Sequence, residues 1–183
     1  MSEKNMIENP ATREKIFFRR TGKDTNGELL EFDMIVSPGG FVTAEHMHPG
    51  QTEHFIVQEG NLLLKHKGEL KNHHDGGEAT IEPGTRHVWW NDGDSDLRVR
   101  VDFRPADQFS HFLTSLFALV QDGKTNKRGM PNPLQLAVMI QKYGHVIYPS
   151  RPPRAIQNVL FSILAPVARM LGYKPDHPYP RDK

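Results

Sequence analysis

The chain has 183 residues, of which 37% are hydrophobic and 25% charged, with a net charge of +1 at pH 7 and no cysteine. This length corresponds to one ordinary domain, or to one domain with a helical extension, and no apolar run of about 18 residues is present to span a bilayer. Without cysteine there are no disulfides, thiolate ligands or cysteine nucleophile, so any metal must be held by His, Asp or Glu.

The N-terminal segment, residues 1–15, is polar and carries a proline at position 10. We predict that it forms an arm or an edge strand. It lacks the apolar core of a secretory signal, so the expected location is the cytoplasm.

Residues 16–104 contain short apolar runs that alternate with polar residues and are separated by turns rich in Gly, Pro, Asn and Asp. Leu30, Phe32 and Met34 alternate with charged neighbours in one run, and Val99 and Val101 do so in another. Period-two alternation of this kind indicates short strands that each bury one face. The pattern is typical of a mainly β sandwich or barrel.

Residues 105–183 change to helical spacing and predict about three α-helices. The first carries an apolar stripe that begins at Phe109 and precedes Gly123, and the second is capped by Asn132, starts at Pro133 and stops at Gly144. The third starts near Pro153, and Pro166 is expected to kink or split it. Its apolar stripe is made of Ile156, Val159, Leu160, Ile163, Leu164, Val167 and Leu171.

Charge is distributed unevenly between these two parts. Residues 1–104 hold 13 basic and 18 acidic side chains, a net charge of −5, whereas residues 105–183 hold 10 and 4, a net charge of +6. We expect a basic helical extension packed on an acidic barrel, with the third helix on the barrel or at a homodimer interface. The alternative is that the third helix faces an anionic membrane surface or another partner.

Among the ten histidines, His46 and His48 lie two residues apart in a predicted strand, so both rings leave the same face. Glu53 follows after a Pro-Gly turn, and His87 lies in a later strand behind a second turn. This set suits one divalent transition metal (Fe, Mn, Ni, Co, Cu or Zn) with up to two open coordination positions. Alternation directs the neighbouring His54 outward.

The same residues resemble the two conserved motifs of the cupins. The first motif is matched in full by Gly40, His46, His48, Glu53 and Gly60. The second motif is matched by Gly76, Glu82, Pro83, Gly84, His87 and Asn91, and the only departure is Glu82, which stands where the family has proline. The resemblance implies that residues 16–104 form a double-stranded β-helix (jelly-roll, RmlC-like) barrel that binds a metal inside through His46, His48, Glu53 and His87.

Two softer motifs are similar to those of small bacterial quercetin-dioxygenase-like cupins: the run Arg20 to Gly27 and the Lys-Tyr-Gly sequence at 142–144. This resemblance implies a metal-dependent dioxygenase that acts on a small, aromatic or polyphenolic molecule, with the metal-bound Glu53 accepting a substrate proton. A metal-dependent isomerase or lyase and a non-catalytic small-molecule-binding cupin are the alternatives.

Alternation also places the residues two positions from a ligand on the ligand side, so a substrate pocket is expected beside Ala44, Phe55, Val57 and Trp89. Trp89 is either a stacking wall or a core aromatic. The expected partners are a small-molecule substrate and a second copy of the chain that pairs through barrel edges, with no nucleic acid.

Overall fold

The computed structural model describes residues 5–180; residues 1–4 of the predicted N-terminal arm and residues 181–183 lie outside this range. Eleven strands and three helices are present in the described part. The strands are β1 Met6–Asn9, β2 Glu14–Arg20, β3 Leu30–Val36, β4 His46–Met47, β5 Thr52–Glu59, β6 Leu62–His66, β7 Glu69–His73, β8 Glu78–Ile81, β9 His87–Asn91, β10 Leu97–Arg104 and β11 Tyr148–Pro149. The helices are α1 Phe109–Gln121, α2 Pro133–Tyr143 and α3 Arg154–Met170.

The strands form two antiparallel sheets, in the orders β1-β2-β3-β10-β5-β8 and β11-β4-β9-β6-β7. The two sheets face each other as a jelly roll, which confirms the mainly β fold predicted from the sequence. Residues 6–9 of the predicted arm form the edge strand of the first sheet, and β2 begins at Glu14.

The core lies between the sheets because the alternating residues point there. Leu30, Phe32, Met34 and Val36 of β3 are buried, as are the apolar residues of β10 that alternate with its charged ones. Asp33 on the opposite face of β3 is also buried, and its carboxylate pairs with Arg19 and Arg100 on the two neighbouring strands. The sequence pattern alone placed Asp33 on an exposed face, since it does not show which charges flank a strand.

Helices α1 and α2 lie against the barrel with the boundaries that the sequence signals predict. The apolar stripe of α1 is part of the barrel core cluster. The side chain of Asn132 accepts a hydrogen bond from the backbone N–H of Gln135 at 3.0 Å, and Pro133 occupies the first turn of α2.

Helix α3 departs from the prediction in two ways. It runs without interruption through Pro166, so the expected split is wrong. Its buried residues Phe161, Ala165 and Ala168 pack against α2, and the buried Gln157 donates to the carbonyl oxygens of Pro149 and Pro152, whereas most of the large apolar stripe is exposed. The two alanines allow close helix contact, and this face, rather than the stripe, docks on the protein.

Candidate metal centre

The four predicted ligands come together between the two sheets. His46 and His87 stand directly opposite each other where β4 pairs with β9, and His48 follows β4. Glu53 projects from β5 of the other sheet. All four side chains are buried, and one candidate ligand atom from each lies within 4.8 Å of the others. The cluster is therefore able to hold one metal ion, as in cupins.

Each imidazole is oriented by a backbone carbonyl. The Nδ1 atoms of His46, His48 and His87 lie 2.9, 2.7 and 3.1 Å from the carbonyl oxygens of Ala44, Val146 and Thr85, respectively. A carbonyl can only accept, so each Nδ1 carries a proton and each ring turns its Nε2 atom toward the centre of the cluster. Backbone carbonyls in this position fix the ring orientation and tautomer of metal-binding histidines.

The inward atoms lack the partners that buried polar groups normally have. The Nε2 atoms of His48 and His87 and Oε2 of Glu53 are buried and have no hydrogen bond within residues 5–180. Oε2 of Glu53 lies only 2.8 Å from Nε2 of His87 and 3.5 Å from that of His48. Buried polar atoms without a bond are rare and costly, so three of them converging on one point fit a bound cation.

The electrostatics of the cluster suit a cation. Burial lowers the pKa of His46 well below its ordinary value, and His87 and His48 lower it further, so this ring stays neutral. Burial raises the pKa of Glu53, but His87 and His48 outweigh it and the net pKa lies below the usual range. Burial lowers the pKa of His87, but the Glu53 anion outweighs it and the net pKa is raised, so a bound metal would take the place of the proton between these two side chains.

The turn at Pro83 and Gly84, which belongs to the second motif, is hydrogen-bonded to the ligand His48. Gly84 has a positive φ of 74°, which favours glycine, and its N–H donates to the carbonyl oxygen of His48 at 2.7 Å. Pro83 precedes it, so the turn forms although Glu82 replaces the family's proline. His54, in contrast, points to the outer surface, where its Nε2 lies 3.2 Å from Oε2 of Glu78.

A cavity of about 90 Å³ adjoins the cluster at His46. Its walls come mainly from α1, α2 and the loops before and after α2, and the lining is apolar apart from His46, Thr43 and Glu14. Of the predicted pocket residues, Ala44 lines this cavity. Phe55, Val57 and Trp89 do not, because they fill the barrel core between the sheets.

Three features of the site were missed at the sequence level. The Val146 carbonyl reaches His48 from 98 positions away, and β11 pairs with the ligand strand β4. Glu14 is buried in the cavity wall, and burial raises its pKa to about 8 although a hydrogen bond from Thr12 lowers it. Backbone contacts and long-range pairings leave no local sequence pattern, so nothing near these residues marked them.

Comparison with known proteins agrees with this architecture. Residues 32–103 match the family model of the cupin domain. KdgF from a Halomonas species shares the fold with a TM-score of 0.52 and 14% identity over 60% of this chain and 96% of that protein. An RmlC-like cupin from Shewanella frigidimarina gives a TM-score of 0.50 and 19% identity over 60% of this chain and 92% of that protein.

Comparison with curated protein sequences gives no match. The match to the cupin domain covers residues 32–103, which lie within the barrel and contain all four residues of the buried cluster. At these identities the similar structures define the fold and nothing finer.

Proposed function

We propose that the protein is a metal-dependent, dioxygenase-like enzyme that acts on a small, mainly apolar molecule. The observation that carries the proposal is the joint arrangement of a fixed three-histidine, one-carboxylate cluster and an apolar cavity that touches it at His46. A purely structural metal site would have no need of a substrate-sized space beside it.

The residues have separate tasks in this proposal. His46, His48, Glu53 and His87 would hold one divalent transition metal, which when bound supplies Lewis-acid polarisation of a substrate oxygen. Glu53 is ionised, so Oε2 is in the state that accepts a hydroxyl proton from the substrate. The apolar wall formed by α1 and α2 limits water in the part of the cavity that adjoins His46.

The cavity limits the choice of substrate. At about 90 Å³ it is smaller than the roughly 150 Å³ cavities that take up benzene in other proteins, so a multi-ring polyphenol requires the walls to open. No Lys or Arg is among its described lining residues, so phosphorylated sugars are poor candidates. A single-ring catechol or an enol of similar size also requires some opening of the walls, but less than a multi-ring polyphenol does, and it suits the apolar lining.

Elemental analysis followed by oxygen-uptake measurements tests this function. We expect close to one transition metal per chain, and oxygen consumption with a catechol that disappears in His87→Ala and persists in His54→Ala. Turnover of an enol without oxygen uptake would assign the isomerase or lyase alternative instead. Metal and ligand binding without any turnover would contradict an enzyme and leave a small-molecule-binding cupin.

The homodimer and the cytoplasmic location remain predictions. The outer edge of β8, at the end of the first sheet, is the surface through which we propose that two copies pair, because strand edges favour association. Light scattering that gives the mass of one chain at micromolar concentration would contradict the dimer.

A further inference from the structure

Helix α3 presents a continuous apolar surface to solvent. Eight large hydrophobic residues are strongly exposed in the described part of the chain, and seven of them belong to α3 or follow it directly. These seven are Ile156, Val159, Leu160, Ile163, Val167, Met170 and Leu171, which we call the α3 stripe. Contiguous exposed apolar surface of this kind marks an interaction site in a soluble fold.

The stripe faces directly away from the protein body. Successive helical residues are rotated by about 100°, which places Ile163 and its stripe neighbours on the side opposite Phe161, Ala165 and Ala168. The latter three are buried against α2. The 17 residues of α3 give the stripe a length of about 25 Å. No other described element covers it, and its most exposed member, Met170, is 88% accessible.

The chain around the stripe carries charge of one sign. Between Asp122 and Asp176 there are eight Lys and Arg residues and not one Asp or Glu. Arg151, Arg154 and Arg169 lie at the two ends of α3, are exposed, and form no ion pair within residues 5–180, although the Arg154 guanidinium lies 4.7 Å from the centre of the Tyr148 ring. A surface that combines an apolar stripe with unpaired basic side chains is complementary to an apolar layer bordered by negative charge.

Other occupants match these observations less well. A second copy docked through the same face would bring two basic α3 helices together with no acidic residue in either to compensate them. Nucleic acid would use the arginines and leave the apolar stripe in water. The helix cannot cross a bilayer, because no described helix is long and apolar enough.

We propose that α3 lies in the surface of an anionic lipid membrane, with its stripe among the acyl chains and its arginines at the headgroups. The helix would lie in the plane of the interface and hold the barrel at the membrane surface. This proposal rests on residues 151–171 alone and does not depend on the metal-dependent function.

Vesicle cosedimentation of the full chain tests the proposal. We expect binding to vesicles of equimolar phosphatidylcholine and phosphatidylglycerol, and much weaker binding to phosphatidylcholine alone. Raising NaCl from about 0.1 to about 1 M should weaken the binding, because the Debye length falls from about 10 to about 3 Å. Ile163→Glu should lower the partition coefficient about tenfold or more by placing a charge in the stripe.

Leu70→Glu is the matched control. Leu70 lies on β7, is 57% exposed against 63% for Ile163, and is the one strongly exposed large hydrophobic residue of the described chain outside the α3 stripe. This variant should bind vesicles like the unchanged protein, and both variants should retain their metal and circular dichroism. No binding by the full chain to anionic vesicles would overturn the proposal. A dimer that Ile163→Glu splits, without vesicle binding, would assign the stripe to a second copy instead.

Discussion

Helices α1 and α3 are both amphipathic, but they use opposite kinds of surface to dock. Helix α1 buries its large aromatic side chains. The centroid of the Phe109 ring lies 4.2 Å from that of the Phe103 ring and 5.0 Å from that of the His48 ring. Helix α3 buries only one aromatic residue, Phe161, beside the small side chains of Ala165 and Ala168, and leaves its aliphatic stripe exposed. Helix α1 is therefore part of the architecture around the metal centre, whereas α3 is attached to the outer surface of the protein.

The largest expected effect comes from removing the inner helices. Deletion of residues 109–183 would expose the barrel core under α1, remove β11 from β4 and release His48 from the Val146 carbonyl. We expect insoluble protein that binds no metal. The soluble fraction after expression is the measurement.

Deletion of residues 153–183 removes α3 and the segment that follows it while keeping α1 and α2. The barrel should stay folded and metal-loaded. Its melting temperature should fall, because the Tyr179 hydroxyl that accepts from the N–H of Glu8 is lost with α3. If this shorter deletion were also insoluble, the distinction between α1 and α3 would be wrong.

Loss of one metal ligand is the next largest effect. His48→Ala or His87→Ala should reduce bound metal about tenfold or more, since the remaining donors cannot replace a lost bond in a rigid site. His54→Ala should keep its metal, because His54 faces Glu78 on the outer surface. Elemental analysis after dialysis measures all three, and equal loss from His54→Ala would contradict the assigned faces.

Glu14 tests whether α1 and α2 seal the cavity. Its pKa is raised from 4.5 to about 8 in the folded chain because of burial. Below the lower value the carboxyl is protonated in both folded and unfolded states. Between pH 4.5 and about 8 the Glu14 carboxyl ionises only in the unfolded state, so the free energy of unfolding falls as the pH rises through this window.

Glu14→Gln removes that titration while preserving the shape of the side chain. The variant should be more stable than the unchanged protein at pH 8, by a few kcal/mol if each pKa unit corresponds to about 1.4 kcal/mol, and similar to it at pH 4.5. Urea unfolding at both pH values checks this. A stability difference that does not change with pH would mean that solvent reaches Glu14.

The sequence predicted those parts of the protein that local spacing controls. Alternation defined β3 and β10, the Asn132-Pro133 pair defined the start of α2, and the spacing of His46, His48 and Glu53 indicated one cluster. Helical periodicity found α3 but could not assign its partner face, because it ranks residues by hydrophobicity whereas helix packing depends on shape. Close contact with α2 favours Ala165 and Ala168 over the bulkier stripe.

The smallest expected effect separates the two faces of α3 with a single kind of substitution. Ala165 is fully buried against α2, so Ala165→Leu adds a side chain where no space exists and should weaken docking by about 1–3 kcal/mol. Ala155 is exposed on the same helix, and Ala155→Leu should change docking by less than about 0.5 kcal/mol. Because α3 packs on α2 and on β11 at the edge of the second sheet, outside the barrel core cluster, the loss appears as local opening rather than global unfolding. Amide hydrogen exchange in α3 is therefore the appropriate measurement, and Ala165→Leu should accelerate it by roughly 5- to 140-fold, since about 1.4 kcal/mol corresponds to a factor of ten. Equal exchange rates in the two variants would show that the alanine face does not determine how α3 docks.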